Sequence, residues 1–142
     1  MKIQFLPILL VVLSSLCYHI CQKSIPATLN PVAGLIVTYA CALVVSIAAF
    51  FLFVPKTSLM ESLRAANWTS FILGFAVVGL ELGFLLSYRI GWNISIAGLL
   101  SNTLVALLLI PVGLILFKEK ISFTTISGIL LCMAGLMLIS KR

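Results

Sequence analysis

FILGFAVVGLELGFLL, residues Phe71–Leu86, carries one carboxylate, Glu81, among residues that are otherwise apolar or glycine. A run this long and this apolar satisfies its backbone polar groups in lipid only as a helix. The chain has two further acids, Glu61 and Glu119, and both fall in polar connections. A charged side chain at membrane depth costs roughly 2.5–3.5 kcal/mol on insertion scales and by default marks a substrate or ion path. The competing reading is a protonated glutamate buried in a helix contact.

The rest of the chain extends that pattern. Of 142 residues, 63% are hydrophobic and 8% are charged, and the mean hydropathy is +1.30. A water-soluble domain of this length cannot cover so much apolar surface. The composition is that of an integral membrane protein; a bacterial cytoplasmic (inner) membrane is the location expected for the chain as a whole, and composition does not supply it. The net charge of +6 is therefore not a nucleic-acid signal, because the nine Lys and Arg stand at the ends of apolar runs, as interfacial anchors do. Cys17, Cys21, Cys41 and Cys132 lie in or beside apolar runs, with no CxxC and no Cys/His metal spacing. They are expected as buried, inert thiols.

Lys2 followed by Phe5–Leu16 resembles a signal peptide. Leu16 stands where a lipoprotein cleavage site before Cys17 wants a small residue, and no A-x-A-like site follows. An uncleaved first membrane helix is the better reading. Asn67-Trp68-Thr69 and Asn93-Ile94-Ser95 match the glycosylation pattern but flank one span, so both cannot face one compartment; they read as chance matches.

Five runs are long enough to span: about 3–21, 32–54, 68–88, 94–117 and 121–140. The fold expected is all-α, a single five-helix transmembrane domain over residues 1–142. Ser24–Pro31 holds two prolines and reads as a rigid turn. Met60–Ala66 has the makings of a short interfacial helix, and Trp68 and Trp92 flank the third span as aromatic belts do. No internal repeat is evident. With five spans the termini lie on opposite sides. One side carries Lys2, Lys56, Arg64, Lys118 and Lys120; the other carries Lys23, Arg89, Lys141 and Arg142. The first set is favoured as cytoplasmic, but the margin is a single charge, which points to insertion both ways.

Helices associate in lipid through small residues. The second span has Gly34, Thr38, Ala42 and Ser46 at four-residue steps; the third has Gly79 and Gly83, continued by Ser87; the fifth has Thr124, Gly128 and Cys132, with Gly135 beyond. These tracks are expected to pack helices, within the chain or against another. At helical spacing Glu81 shares its face with Gly74, Val77, Val78, Phe84, Leu85 and Tyr88. Tyr88 lies almost straight above it, roughly 10 Å along the axis. Arg89, on a neighbouring face, can reach the headgroups. In the fourth span Ser95, Gly98 and Asn102 form a polar stripe beside Ser101, and Pro111 removes one backbone bond. Asn102 is either an interhelical clamp or a substrate contact. The first span holds Ser14, Ser15, Tyr18, His19 and Gln22. His19, the only histidine, is either a packing residue or a group that titrates at working pH.

Ser87–Arg142 resembles the last third of an EamA-type repeat of the drug/metabolite transporter superfamily. The resembling features are an apolar span with Pro111, then Phe117-Lys118-Glu119-Lys120-Ile121-Ser122, then Gly128-Ile129-Leu130-Leu131 and Gly135-Leu136-Met137-Leu138. Lys23 also resembles a lysine common after the first span. The resemblance implies half of a ten-helix carrier built from inverted repeats around a central cavity, exporting small metabolites. Small multidrug resistance proteins are related and act as antiparallel dual-topology dimers. Two oppositely inserted copies of this chain would rebuild the ten-span arrangement. The chain departs from both patterns. It has no acid in the first span and no arginine near the start of the second. Substrate preference and coupling scheme therefore do not carry over.

The function expected is secondary transport of a small metabolite or drug-like compound by an antiparallel homodimer, proton-coupled through Glu81. Tyr88, Asn102, His19 and Ser14 are further candidates for the cavity. The alternatives are a flippase for a lipid-linked molecule and a non-transporting subunit packed on a larger partner. Membrane lipids and a small-molecule substrate are the expected partners; nucleic acid, metal and cofactor are not. No HExxH, no GxSxG and no pair of acids within the spans is present, so an enzyme is not expected. Cationic or zwitterionic cargo is suggested, because the only charge at mid-membrane is negative.

Overall fold

The computed structural model describes residues 5–54, 58–118 and 122–140. Lys2, Lys56, Glu119, Lys120, Ile121, Lys141 and Arg142, all named above, lie outside them. The elements are α1 (Leu6–Ser24), α2 (Pro31–Phe53), α3 (Leu59–Arg64), α4 (Trp68–Arg89), α5 (Ile94–Ile115) and α6 (Phe123–Ser140), with no strand among the described residues. Four of them, α1, α2, α4 and α5, are long and apolar enough to cross a membrane. The 22 residues of α4 reach about 33 Å at 1.5 Å per residue, against a hydrocarbon core of about 30 Å. Within α6, Ile126–Gly135 is apolar.

Local chemistry explains where the helices start. Asn30 caps α2: its Oδ1 accepts from the backbone N–H of Val32 at 2.9 Å, ahead of Pro31 in the first turn. An asparagine cap and an early proline suit a helix start, since the first amides have no intrahelical partner. Asn67 does the same for α4, accepting from the Thr69 N–H at 3.1 Å. The Asn67-Trp68-Thr69 pattern thus has a structural use as a helix start. Asn93 occupies the equivalent place before α5 without a side-chain cap bond. The turn between α4 and α5 passes through Gly91 at φ +99, in the left-handed region that glycine adopts without strain. The short interfacial helix expected near Met60 is α3. One boundary differs with consequence: α1 continues past residue 21, the expected end of the first span, to Ser24, so Gln22 and Lys23 are helical.

The chain divides into two compact units. In Cys21–Ile90, α2 packs on α4, and the last turn of α1 belongs to the same unit. In the other, formed by Met1–Ile20 and Gly91–Arg142, α5 packs on α6. Few side chains are covered. The buried apolar residues among those described are Leu35, Leu85, Tyr88 and Ala97. Large apolar side chains such as Leu10, Phe75 and Leu131 stand exposed on the helices. In water such a surface would aggregate. In lipid it meets a solvent as apolar as itself.

For the same reason the expectation for the cysteines is corrected. All four are exposed rather than buried. A thiol that packs as a small hydrophobe needs no protein cover when the surroundings are acyl chains.

Candidate functional site

The candidate site lies in the Cys21–Ile90 unit, on one face of α4. Glu81, Leu85 and Tyr88 follow one another at helical spacing and are the buried residues of that helix, with Leu85 only 1% exposed. Glu81 is 6% exposed. Tyr88 is buried above it, its ring stacked on Phe84 with centroids 6.0 Å apart. The stripe expected from spacing thus holds in its upper half. Val77 and Val78, assigned to the same face, are more open, and nothing lies within 4 Å of where a Cβ would stand at Gly74.

Three polar side chains converge on this stripe, and all three bond to backbone oxygens. Gln22, 4% exposed, donates from Nε2 to the main-chain carbonyl of Glu81 at 3.1 Å. Lys23 donates from Nζ to the carbonyl of Tyr88 at 3.5 Å, and its ammonium lies 5.5 Å from the Tyr88 ring centroid. A cation at a helix C-terminus is favoured by the unpaired carbonyls there, and one over a tyrosine face gains further attraction. Arg89 donates from one terminal nitrogen to the carbonyls of Pro26, at 3.3 Å, and of Leu29. It thereby ties the 25–30 connection to the end of α4. Leu29 N–H to Pro26 O closes a turn within that connection at 3.1 Å.

The electrostatic consequence is specific. The basic side chains nearest in the chain to this face are directed to carbonyl oxygens. Among the described residues none forms an ion pair with Glu81. Glu81 is buried among largely apolar side chains, and no hydrogen bond from another described residue is seen to its carboxylate. A carboxylate offers only hydrogen-bond acceptors and a negative charge.

The other expected site residues belong to the second unit. His19 packs against α5, its Nε2 3.5 Å from where a Cβ would stand on Gly98, and its ring meets Tyr18 edge-on at 5.2 Å. Gly98 is therefore the glycine of the α5 polar stripe that serves a close approach. Ser14 and Asn102 are exposed. Thr103, beside Asn102, is buried instead and donates to the Leu99 carbonyl at 2.8 Å. The buried side of α5 starts at Ala97 and Gly98 and reappears at Thr103 and Gly113. Asn102 falls off that line.

The packing glycines stand open. At Gly79, Gly83, Gly128 and Gly135 no atom of the described residues lies within 4 Å of where a Cβ would stand, the helix's own nearby backbone aside, and Cys132 is exposed. On α4, Ser87 donates back to the Gly83 carbonyl at 2.8 Å, as hydroxyls do on a helix without another partner.

Gln22 is the member of the cluster that sequence reasoning passed over. It stands 59 residues from Glu81 and binds a backbone atom, so no side-chain pairing pattern points to it. The available signal was an uncharged amide at the end of an apolar run, which also reads as the edge of a span. No family model, curated protein or solved structure matches the chain.

Proposed function

We propose that the chain is a small secondary transporter of the drug/metabolite type, with Glu81 as the group that binds a proton or cation. The observation that carries this reading is a buried carboxylate in a membrane helix whose neighbouring cations are engaged by carbonyl oxygens. An acid placed only for stability would be expected to pair with Lys23 or Arg89, because an unpaired intramembrane charge is costly. In the same reading α6 is the fifth span, and the unit is one half of an inverted-repeat carrier in a bacterial inner membrane. An antiparallel homodimer completes it. The near-equal charge count supports dual insertion, and the uncovered glycines of α4 and α6 support a second copy.

The test is flux in sealed liposomes with a pH-sensitive dye, screened against cationic and zwitterionic metabolites. Glu81→Gln is expected to remove the pH dependence of flux; unaltered pH-dependent flux would take Glu81 out of the mechanism. Compartment-sensitive reporters on both termini address the dimer, and one uniform orientation would end the antiparallel reading.

One observation favours a second reading, a flippase for a lipid-linked molecule. An open apolar groove of about 600 Å³ runs beside α4, lined by Phe71, Gly74, Val77 and Val78 with Tyr39 of α2. A lateral opening of this kind admits acyl chains. Dithionite quenching of a fluorescent lipid in reconstituted vesicles separates the two: quenching no faster than in protein-free vesicles would dismiss the flippase.

A further inference from the structure

We infer that Gln22 is a positioning residue for Glu81, an inference that rests on the proposed role of Glu81. Gln22 and Glu81 are 4% and 6% exposed, and the amide Nε2 sits 3.1 Å from the main-chain oxygen of residue 81. α4 is continuous from Trp68 to Arg89, so that oxygen already accepts the Leu85 N–H within the helix. Gln22 supplies a donor to its second lone pair.

Packing alone does not select glutamine here. A buried primary amide is costly unless it is hydrogen-bonded, and a leucine would fill similar space without that cost. What the amide adds is direction. It grips residue 81 by the backbone and leaves the carboxylate unoccupied, whereas a lysine or arginine in its place would neutralise the acid. Lys23 and Arg89 stand beside it and are held on the carbonyls of Tyr88, Pro26 and Leu29. The arrangement fixes where the Glu81 side chain starts from without consuming it. A carboxylate that must meet a proton and a substrate in turn needs that anchoring, since functional groups work only within about 0.5 Å of their productive place.

The ionisable side chains on the elements around this point are Cys21 and Lys23 on α1, Tyr39 and Cys41 on α2, and Tyr88 and Arg89 on α4. None besides Glu81 is a carboxyl. His19, one turn earlier on α1, is common to every variant and cancels in comparison.

Dicyclohexylcarbodiimide tests the tether without knowledge of the substrate. It is an apolar reagent that adds to a protonated carboxyl, and mass spectrometry of the Glu81 peptide reads the adduct. Full-length protein in vesicles of phosphatidylethanolamine and phosphatidylglycerol is labelled at matched pH. Gln22→Leu should raise the rate of labelling at Glu81 about threefold to tenfold, the range of one interhelical hydrogen bond. Gln22→Glu should return to the wild-type rate in acid, where its carboxylic O–H can donate to the same carbonyl. Equal labelling in Gln22→Leu and wild type overturns the inference. So does a Gln22→Glu rate that stays high in acid, which is the mark of general loosening. Should Gln22→Leu fail to fold, Gln22→Met, of similar length and also without a donor, takes its place with the same expected rise and the same overturning result. The flux result with Glu81→Gln is read separately. If pH-dependent flux survives it, the transport reading falls even where labelling supports the tether.

Discussion

The two sides of α4 are built from one stretch of sequence and do opposite things. One side carries Glu81, Leu85 and Tyr88, is buried, and receives Gln22 and Lys23 from the end of α1. The other carries Gly79, Gly83 and Ser87; both glycines are exposed and have no atom within 4 Å of a potential Cβ. In a soluble protein the polar side would face out and the small apolar side in. Here the order is reversed, because lipid neither penalises bare glycine and apolar side chains nor solvates a carboxylate. Polar groups are thus the scarce material that draws helices together, and the apolar side is left for acyl chains or a second copy.

Four substitutions on this helix test the contrast between its two sides. The largest effect is expected from Glu81→Gln, which should bring proton-driven flux in liposomes to background while the folded protein is retained on size exclusion. Next comes Leu85→Ala on the same side. Deleting the most covered side chain of the helix should cost about 2–5 kcal/mol of stability, read as thermal unfolding in detergent. A loss below about 1 kcal/mol would mean the stripe is not the packed side. On the opposite side, Gly83→Leu should leave unfolding of the isolated chain within about 1 kcal/mol of wild type. It should also weaken self-association about tenfold or more, measured by dilution-dependent energy transfer in vesicles. Unchanged association would restrict that side to lipid contact. The smallest effect is expected from Ser87→Ala. Its hydroxyl bonds only within its own helix to the Gly83 carbonyl, so unfolding should shift by no more than about 0.5 kcal/mol.

Much of this molecule is legible from hydropathy and spacing, and the exceptions share a cause. The helix starts at Pro31, Trp68 and Ile94 fall within a residue of the expected spans, because apolar run length and asparagine caps are local signals. The shared face of Glu81, Leu85 and Tyr88 is also local, a consequence of 3.6 residues per turn. Gln22 was not legible as a partner of Glu81, since its bond closes over 59 residues onto a backbone atom. A neighbouring pair shows the limit at finer scale. Asn102 reads as the buried polar group of α5, yet Thr103 is the buried one, and a rotation of one residue decides between them. The glycines show it again: spacing marks a smooth surface but does not say whether anything lies on it.

Hydropathy and spacing are enough to establish a helical membrane chain and the one helix side that carries an acid. Apolar length and helical period act over a few residues and need no knowledge of neighbours. Packing of distant segments settles the rest: Gln22 bonds to the Glu81 backbone, and Lys23 and Arg89 donate to carbonyls. Those are choices among hydrogen-bond partners from distant segments, set by which helix ends meet once the chain has packed.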